Sequence, residues 1–222
     1  MALIVLVSCN TSRNTIIPFD YVANFPDTKN GLTQTQADDY EKFAMEQMQK
    51  NTVGKKLPNI LVYDVNNKAV KLNKLIKQTT FIYATDNHCG WGLIVLDNDL
   101  PYTIEKLKGD SIYLNTIALL IKTSIDSVDS EEFINEANEV KSKYDQFYII
   151  DEKEANKFNA INATKLLVDR TKTVIYLGYG ANLSPDIFYE RLKSELLLTN
   201  AQRPARKSIV RQGRREGVKN EK

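Results

Sequence analysis

The residues with the most chemical potential lie together between Asp86 and Gly92, in the stretch DNHCGWG. It contains the only histidine of the chain, His88, the only tryptophan, Trp91, and one of the two cysteines, Cys89. A cysteine thiolate is a nucleophile and a redox centre, and an imidazolium against the sulfur lowers the pKa of the thiol. The stretch therefore predicts either a thiol-based redox site or the remnant of one.

Other kinds of site have little support in the sequence. One histidine and one free cysteine are too few for a metal ion, which needs three or four ligands. Gly178 and Gly180 alone are too weak a match to a phosphate-binding loop. Carboxylates such as Asp97 and Asp99 are more typical of a solvated acidic surface than of catalysis. We therefore expect no metal and no cofactor.

The second cysteine, Cys9, ends the apolar run MALIVLVSC. This run is too short to span a bilayer, which takes roughly 20 apolar residues. Its end, Leu6-Val7-Ser8-Cys9, resembles the lipobox of bacterial lipoproteins, in which the cysteine is lipidated. The basic region that begins a signal peptide is missing, so either the natural start lies upstream or the resemblance is accidental. In the second case ALIVLVS would be a buried strand of a cytosolic domain.

The residues after Cys9 favour the lipoprotein interpretation. They are polar and interrupted by Asn, Thr and Pro, as in a tether. A lipid anchor at Cys9 predicts a membrane partner and a place in the bacterial cell envelope, facing the periplasm. Lipidation would leave Cys89 as the only free thiol, so no intramolecular disulfide would form.

Charge and composition divide the chain into four parts. The segment from Thr199 to Lys222 has eight Lys/Arg and two Asp/Glu, a net charge of +6, whereas the whole chain carries +2. We expect this tail to be disordered, and its basicity suits anionic lipid, an acidic partner or nucleic acid. Outside the cytoplasm nucleic acid is not expected. The predicted parts are a signal remnant (1–9), a tether with an N-terminal helix (10–52), one globular domain (53–198) and the tail (199–222).

Hydrophobic periodicity and capping residues predict alternating strands and helices in the domain. Ser111 to Lys122 suits a strand or a buried helix. The helix that starts at Pro185 should turn Ile187, Phe188, Leu192 and Leu196 inward. Helices are predicted at 33–50, 100–107, 130–144, 152–158 and from 185, and strands at 59–64, 69–72, 79–85, 146–150, 165–169 and 173–178. This order predicts an α/β sandwich.

Several weak motifs in succession resemble one family. VGKKLP followed by LVYDVNNKAVKLNKL, then FIYAT, LPYTIEKLK and the final LLVDRTKTVIYLGYGANLSPDIFYERLKSEL, is similar to membrane-anchored thiol-disulfide oxidoreductases of the thioredoxin superfamily, in its TlpA-like and peroxiredoxin-like branch. The resemblance covers roughly residues 53–198. It implies a thioredoxin-like sandwich, with a central mixed sheet flanked by helices and an extra N-terminal helix.

The departures from this family bear on activity. A dithiol enzyme needs a second cysteine to resolve the mixed disulfide, and Gly92 stands in its place. No proline stands before LLVD, where the family has a cis-proline, and Thr164 is the expected occupant. The spacing from Cys89 to Pro101 is longer than in the family, which places Cys89 in a loop before the helix.

Two functions from different classes follow. The first is a binding or scaffold module, in which a groove with Trp91 and Tyr83 near its rim and Thr164 beside it holds a protein or peptide without chemistry. The second is a single-cysteine redox enzyme, a thiol oxidoreductase or peroxidase, in which Cys89 is the nucleophile, His88 assists it and an external thiol resolves the product.

Overall fold

The computed structural model describes residues 14–21, 23, 24, 26, 31, 33–86, 88, 90–123, 135, 137–139, 141, 144, 146–161, 163–179 and 185–201. Within them, seven strands form one mixed sheet in the order β2-β1-β5-β4-β3-β6-β7. The strands are β1 (Leu61–Tyr63), β2 (Ala69–Lys71), β3 (Thr80–Asp86), β4 (Asn115–Lys122), β5 (Phe147–Asp151), β6 (Thr164–Val168) and β7 (Val174–Gly178). The helices are α1 (Gln34–Thr52), α2 (Leu72–Leu75), α3 (Gly90–Ile94), α4 (Leu100–Gly109), α5 (Glu152–Asn156) and α6 (Pro185–Ala201).

The central strand β3 explains the layered architecture. It runs parallel to β4 and antiparallel to β6, and its first six residues are fully buried. Because side chains alternate along a strand, Phe81 and Tyr83 point to one face of the sheet while Ile82 and Ala84 point to the other. The first face is covered by α4 and α6, and the second packs in a cluster with α1, α2 and α5. The predicted α/β sandwich with an N-terminal helix is confirmed.

The N-terminal helix α1 is part of the core. Thr33 caps it by accepting from the Gln36 N–H, and the Gln36 side chain accepts from the Thr33 N–H in return. Tyr40, Ala44 and Met48 repeat every four residues and are buried. That spacing puts them on one helix face, which packs on the sheet.

The segment before α1 differs from the predicted tether. Residues 14–19 lie against the domain, where Ile16 is buried and Thr15 forms a β-bridge with Lys56. Phe19 also packs edge to face on Phe43 of α1. The segment is polar on average, which predicted a tether, but it also contains Ile16 and Phe19. The packing of these two side chains against the domain fixes the segment in place.

Three further expectations are settled by the described residues. Ser111 to Lys122 contains strand β4, so the buried-helix alternative is wrong. Ile187 is 56% exposed, so its predicted inward position is wrong, and Tyr189 is buried beside Phe188 instead. Helix α6 continues to Ala201, past the predicted start of the tail.

Two expectations concern residues that lie partly or wholly outside the described part of the chain. Of the helix predicted for 130–144, residues 135, 137–139 and 141 are helical and most others lie outside the described residues. Cys9 and residues 202–222 also lie outside them. Within the described part of the chain, no helix has the length and apolarity needed to cross a bilayer.

Candidate functional site

The candidate site lies at the carboxyl edge of β3, where the chain turns into a helix. His88 is exposed there, and its backbone N–H donates to Asp86 Oδ1 at 3.0 Å. This bond orders the chain just beyond the strand, as in an Asx turn. Helix α3 begins at Gly90. Cys89 and the side chain of Trp91 lie outside the described residues.

The helix after the site is continuous but irregular. Residues 95–99 form a π-helical segment between α3 and α4, and the Leu100 N–H donates to the Val95 carbonyl. Proline lacks an N–H, and its ring clashes with the carbonyl four residues back, so the widened turn accommodates Pro101. The extra spacing between Cys89 and Pro101 is thus taken up inside the helix. Helix α3 begins at Gly90, and Cys89 itself lies outside the described residues, so its predicted place in a loop before the helix stays a prediction.

Gly92 is the third residue of α3 and is buried against the sheet. Its carbonyl accepts a hydrogen bond from the Tyr83 hydroxyl at 3.2 Å. Tyr83 is 0% exposed, so its predicted position near the rim of a groove is wrong. Its side chain lies in the core between β3 and α3, and its hydroxyl supports the start of the helix through the bond to Gly92.

Thr164 lies at the start of β6, opposite Ala84 of β3. Its side chain is buried, and its hydroxyl donates to the Ile161 carbonyl at 2.5 Å and accepts from the Ile161 N–H at 2.9 Å. Ala163 before it has a φ of 53°, and the described residues contain no cis peptide bond. Thr164 therefore closes its own turn, and its buried hydroxyl faces the protein rather than a groove.

Sequence reasoning missed Lys165, the only buried lysine among the described residues. It lies opposite Tyr83 in the register of the sheet and is 3% exposed. Its ammonium lies 5.3 Å from the centre of the Phe188 ring. Burial and the neighbouring charge of Arg191 lower the pKa of Lys165 to about 8, and Asp99 opposes this shift. Side chains alternate along a strand, so Lys165 shares a strand face with Leu167. This spacing was the signal in the sequence that Lys165 is buried.

Asp99 also differs from the solvated surface carboxylate that we expected. It ends the π-helical segment, and burial raises its pKa, while the charge of Lys165 lowers it. The opposite charges of Asp99 and Lys165 therefore act on each other. Opposite charges that act on each other in partly buried surroundings perturb pKa values at functional and at purely structural sites alike.

Among the described residues, no group of three His, Cys, Asp or Glu side chains could hold a metal ion. A cavity of about 460 Å³ is lined by Asn115, Thr116 and Gln146. These residues lie at or before the start of β4 and β5, so the cavity opens at the opposite end of the sheet from His88. Among the described residues, the site edge offers the His88 side chain and the Asp86 carboxylate, and the Cys89 thiol lies between His88 and Gly90 in the sequence.

The topology decides the fold class. A parallel strand-helix-strand unit, β3 to β4, is followed by the antiparallel hairpin β6-β7 and the closing helix α6. The fold is thioredoxin-like. The resemblance that the sequence motifs suggested is confirmed at this level.

Comparisons with known proteins find structural neighbours at low identity and no family. No protein-family model and no curated protein matches the chain. Among solved structures, it is similar to a thiol:disulfide interchange protein from Bacteroides sp. (17% identity, TM-score 0.47, covering 64% of this chain and 89% of that one). It is also similar to a domain of a possible thiol-disulfide isomerase from Cytophaga hutchinsonii (20%, 0.47, 67% and 93%) and to yeast Sco1 (15%, 0.49, 68% and 97%). At such low identities and scores, these likenesses carry no argument about activity.

Proposed function

We propose that this chain is a cell-envelope lipoprotein whose thioredoxin-like domain lacks the dithiol and serves as a binding or scaffold module. The observation that carries the proposal is Gly92. It stands where a dithiol enzyme has its resolving cysteine, and it is buried and hydrogen-bonded to Tyr83. No thiol at that place can resolve a mixed disulfide with Cys89.

The edge around His88 is the proposed binding surface, with a protein or peptide as the partner. His88 is exposed, and the chain beside it is ordered by the bond to Asp86. Tyr83 and Thr164 support this edge from inside the domain, so specificity would come from His88, Trp91 and the residues around Cys89. A scaffold of this kind needs a rigid base, which the buried strand β3 supplies.

The proposed location follows from Cys9. The lipobox-like sequence before it suits attachment of a lipid, which would hold the domain at the membrane on the periplasmic side. Metabolic labelling with a radioactive fatty acid tests this step, with Cys9→Ser as the control. Label in the wild-type chain alone supports the anchor, and label in neither chain contradicts it.

The pH dependence of Cys89 alkylation tests the binding module against an enzyme. A module without thiol chemistry should have a Cys89 pKa of about 8.5 or above, as in an unactivated cysteine. It should also reduce no insulin disulfides in the presence of glutathione. The protein should carry Cys9→Ser, so that only one thiol reacts. A pKa below about 7, together with turnover that Cys89→Ser abolishes, would contradict the proposal.

One observation favours the second candidate, a single-cysteine redox enzyme. Helix α3 begins at Gly90, directly after Cys89, and the helical path continues without a break to Gly109. The positive end of a helix dipole stabilises a thiolate beside it. In this mechanism the thiolate of Cys89 attacks a peroxide and becomes a sulfenic acid, with loss of water or an alcohol. One external thiol then condenses with it, releasing water, and a second external thiol reduces the mixed disulfide.

A further inference from the structure

Basic side chains gather at the end of the sheet opposite the candidate site. The turn between β6 and β7 meets the residues that follow α1, because the Leu57 N–H donates to the Lys172 carbonyl and the Val174 N–H to the Lys55 carbonyl. The Lys56 ammonium donates to the carbonyl and hydroxyl of Thr171. We name this end the basic pole; its members are Lys50, Lys55, Lys56, Arg170 and Lys172.

The charge of the basic pole faces solvent. Lys50, Lys56 and Arg170 are exposed, and Lys55 and Lys172 are half-buried. The acidic residue of the turn, Asp169, uses one carboxylate oxygen to accept the N–H groups of Thr171 and Thr173. Two exposed apolar side chains, Ile17 and Val53, lie beside the end of α1. Cations interspersed with apolar groups are typical of surfaces that lie on anionic membranes.

The N-terminal segment reaches the domain at this same pole. The Asn14 carbonyl accepts from the Lys56 N–H at 2.8 Å. Further along, Asn159 binds the Ile17 carbonyl and the Phe19 N–H, which fixes the segment. Four residues separate Cys9 from Asn14, and a fully extended chain of this length spans at most about 18 Å. A lipid on Cys9 would therefore hold the basic pole close to the bilayer.

The candidate site faces the other way. Strand β3 begins beside the β6-β7 turn, since Thr80 pairs with Val168, and it ends at Asp86 beside His88. Seven residues of strand place the two ends about 20 Å apart. This is about two and a half Debye lengths at physiological ionic strength. A surface charge at the membrane thus acts on one end of the domain and is screened at the other.

We propose that the basic pole lies on the anionic headgroups of the membrane and directs the His88 edge away from the bilayer, toward a partner. This inference rests on the lipid anchor at Cys9 proposed above. The anchor supplies proximity, and the basic pole supplies orientation. Polybasic contacts commonly act as the second signal that stabilises a lipid anchor.

Vesicle binding by the full chain with Cys9→Ser tests the contact without the lipid. Vesicles of phosphatidylcholine with a one-third share of phosphatidylglycerol should bind the protein at low salt and release it at high salt. R170E with K172E should weaken binding about tenfold or more, since each basic residue near such a surface contributes a substantial part of the attraction. Vesicles of phosphatidylcholine alone should bind none of the proteins.

The matched control is K71E with K153E, which changes the net charge equally at the opposite end of the sheet. It should retain binding within about threefold, because its sites lie beyond the Debye length from the membrane. The basic tail is present in every variant and cancels from the comparison. Equal weakening by both double variants, or none by either, would overturn the basic pole as the contact.

A second measurement reports orientation. In a chain with Cys9→Ser and Cys89→Ser, a fluorophore on Val53→Cys should be quenched by a nitroxide-bearing lipid, and one on His88→Cys should not. Quenching of the His88 label alone would overturn the orientation. If acyl labelling fails at Cys9 while these results hold, the anchor is refuted and the contact stands. If labelling succeeds and these results fail, the reverse is true.

Discussion

Asn159 fixes the N-terminal segment to the domain, and its replacement offers a quantitative test. The side chain is 2% exposed. Its Oδ1 accepts from the Phe19 N–H at 2.7 Å, and its Nδ2 donates to the Ile17 carbonyl at 3.1 Å and the Thr52 hydroxyl at 2.7 Å. Each bond contributes about 1 kcal/mol net, so Asn159→Gly should lower the free energy of unfolding by about 3 kcal/mol. For a chain of this size that corresponds to a melting temperature roughly 6 to 12 °C lower.

The backbone conformation of Asn159 allows two contributions to stability to be measured separately: the hydrogen bonds of the side chain and the strain of a Cβ atom. Asn159 has a φ of 56°, in the left-handed region that glycine adopts without strain. Asn159→Ala removes the same amide but adds the strain of a Cβ, about 1 kcal/mol or slightly more. Asn159→Ala should therefore be less stable than Asn159→Gly by that amount. Thermal and urea unfolding of the two variants measure both terms.

Hydrogen exchange locates the loss. In both variants the Phe19 amide should exchange much faster than in the wild type, while amides of β3 keep their order of protection. A loss below about 1 kcal/mol in Asn159→Gly, with the Phe19 amide still protected, would refute the role of Asn159. The N-terminal segment would then be held by its apolar contacts alone.

Three other predictions concern charge and the missing thiol. Burial lowers the pKa of Lys165 to about 8 from the ordinary 10.5, so the unfolded chain binds more protons between these values and stability should rise with pH across them. Urea midpoints should show this rise in the wild type and not in Lys165→Met; parallel pH profiles would contradict it. Lys193 and Tyr189 lower the pKa of Asp110, so the stability they confer is present above pH 3.8 and lost as pH falls through the lower folded value. Thermal scans of Asp110→Asn in acid should lack this loss, and equal acid slopes would exclude the contribution. Gly92→Cys should give insulin-reducing activity that the wild type lacks, because residues three apart share a helix face; a folded but inactive variant would show that more than the second thiol is missing.

The sequence predicted those parts of the fold that local patterns determine. The β-branched run of β3, the hairpin β6-β7 and the Ser-Pro-Asp start of α6 are each encoded within a few residues. Their order indicated the α/β sandwich, and the resemblance of the motifs to a known family implied its thioredoxin-like form. Ile187 shows the limit of that approach. Its spacing from Phe188 is compatible with either side of the apolar face, and only packing against α4 decides that Tyr189 is buried instead.

The candidate site was less predictable because its supports come from distant parts of the chain. Tyr83 was expected at a rim, but helices cover both faces of the central strand β3. Its side chain is therefore buried whichever face it points to. The pKa of Lys165 depends on Asp99 and Arg191, which are 66 and 26 residues away in the sequence. No local pattern reports such an arrangement. The role of Asn159 in fixing Ile17 was hidden for the same reason.

The π-helical segment between α3 and α4 has a consequence for how this site could change during evolution. A π turn is an α-helix with one residue inserted, so deletion of exposed Asn98 would restore regular winding. The helix before the deletion would then rotate by about 100° and shift by about 1.5 Å relative to α4. Gly92 would lose its bond to Tyr83, while α4 and the sheet would keep their packing. Deletion of one residue would thus give a second arrangement of the same functional edge on an unchanged scaffold.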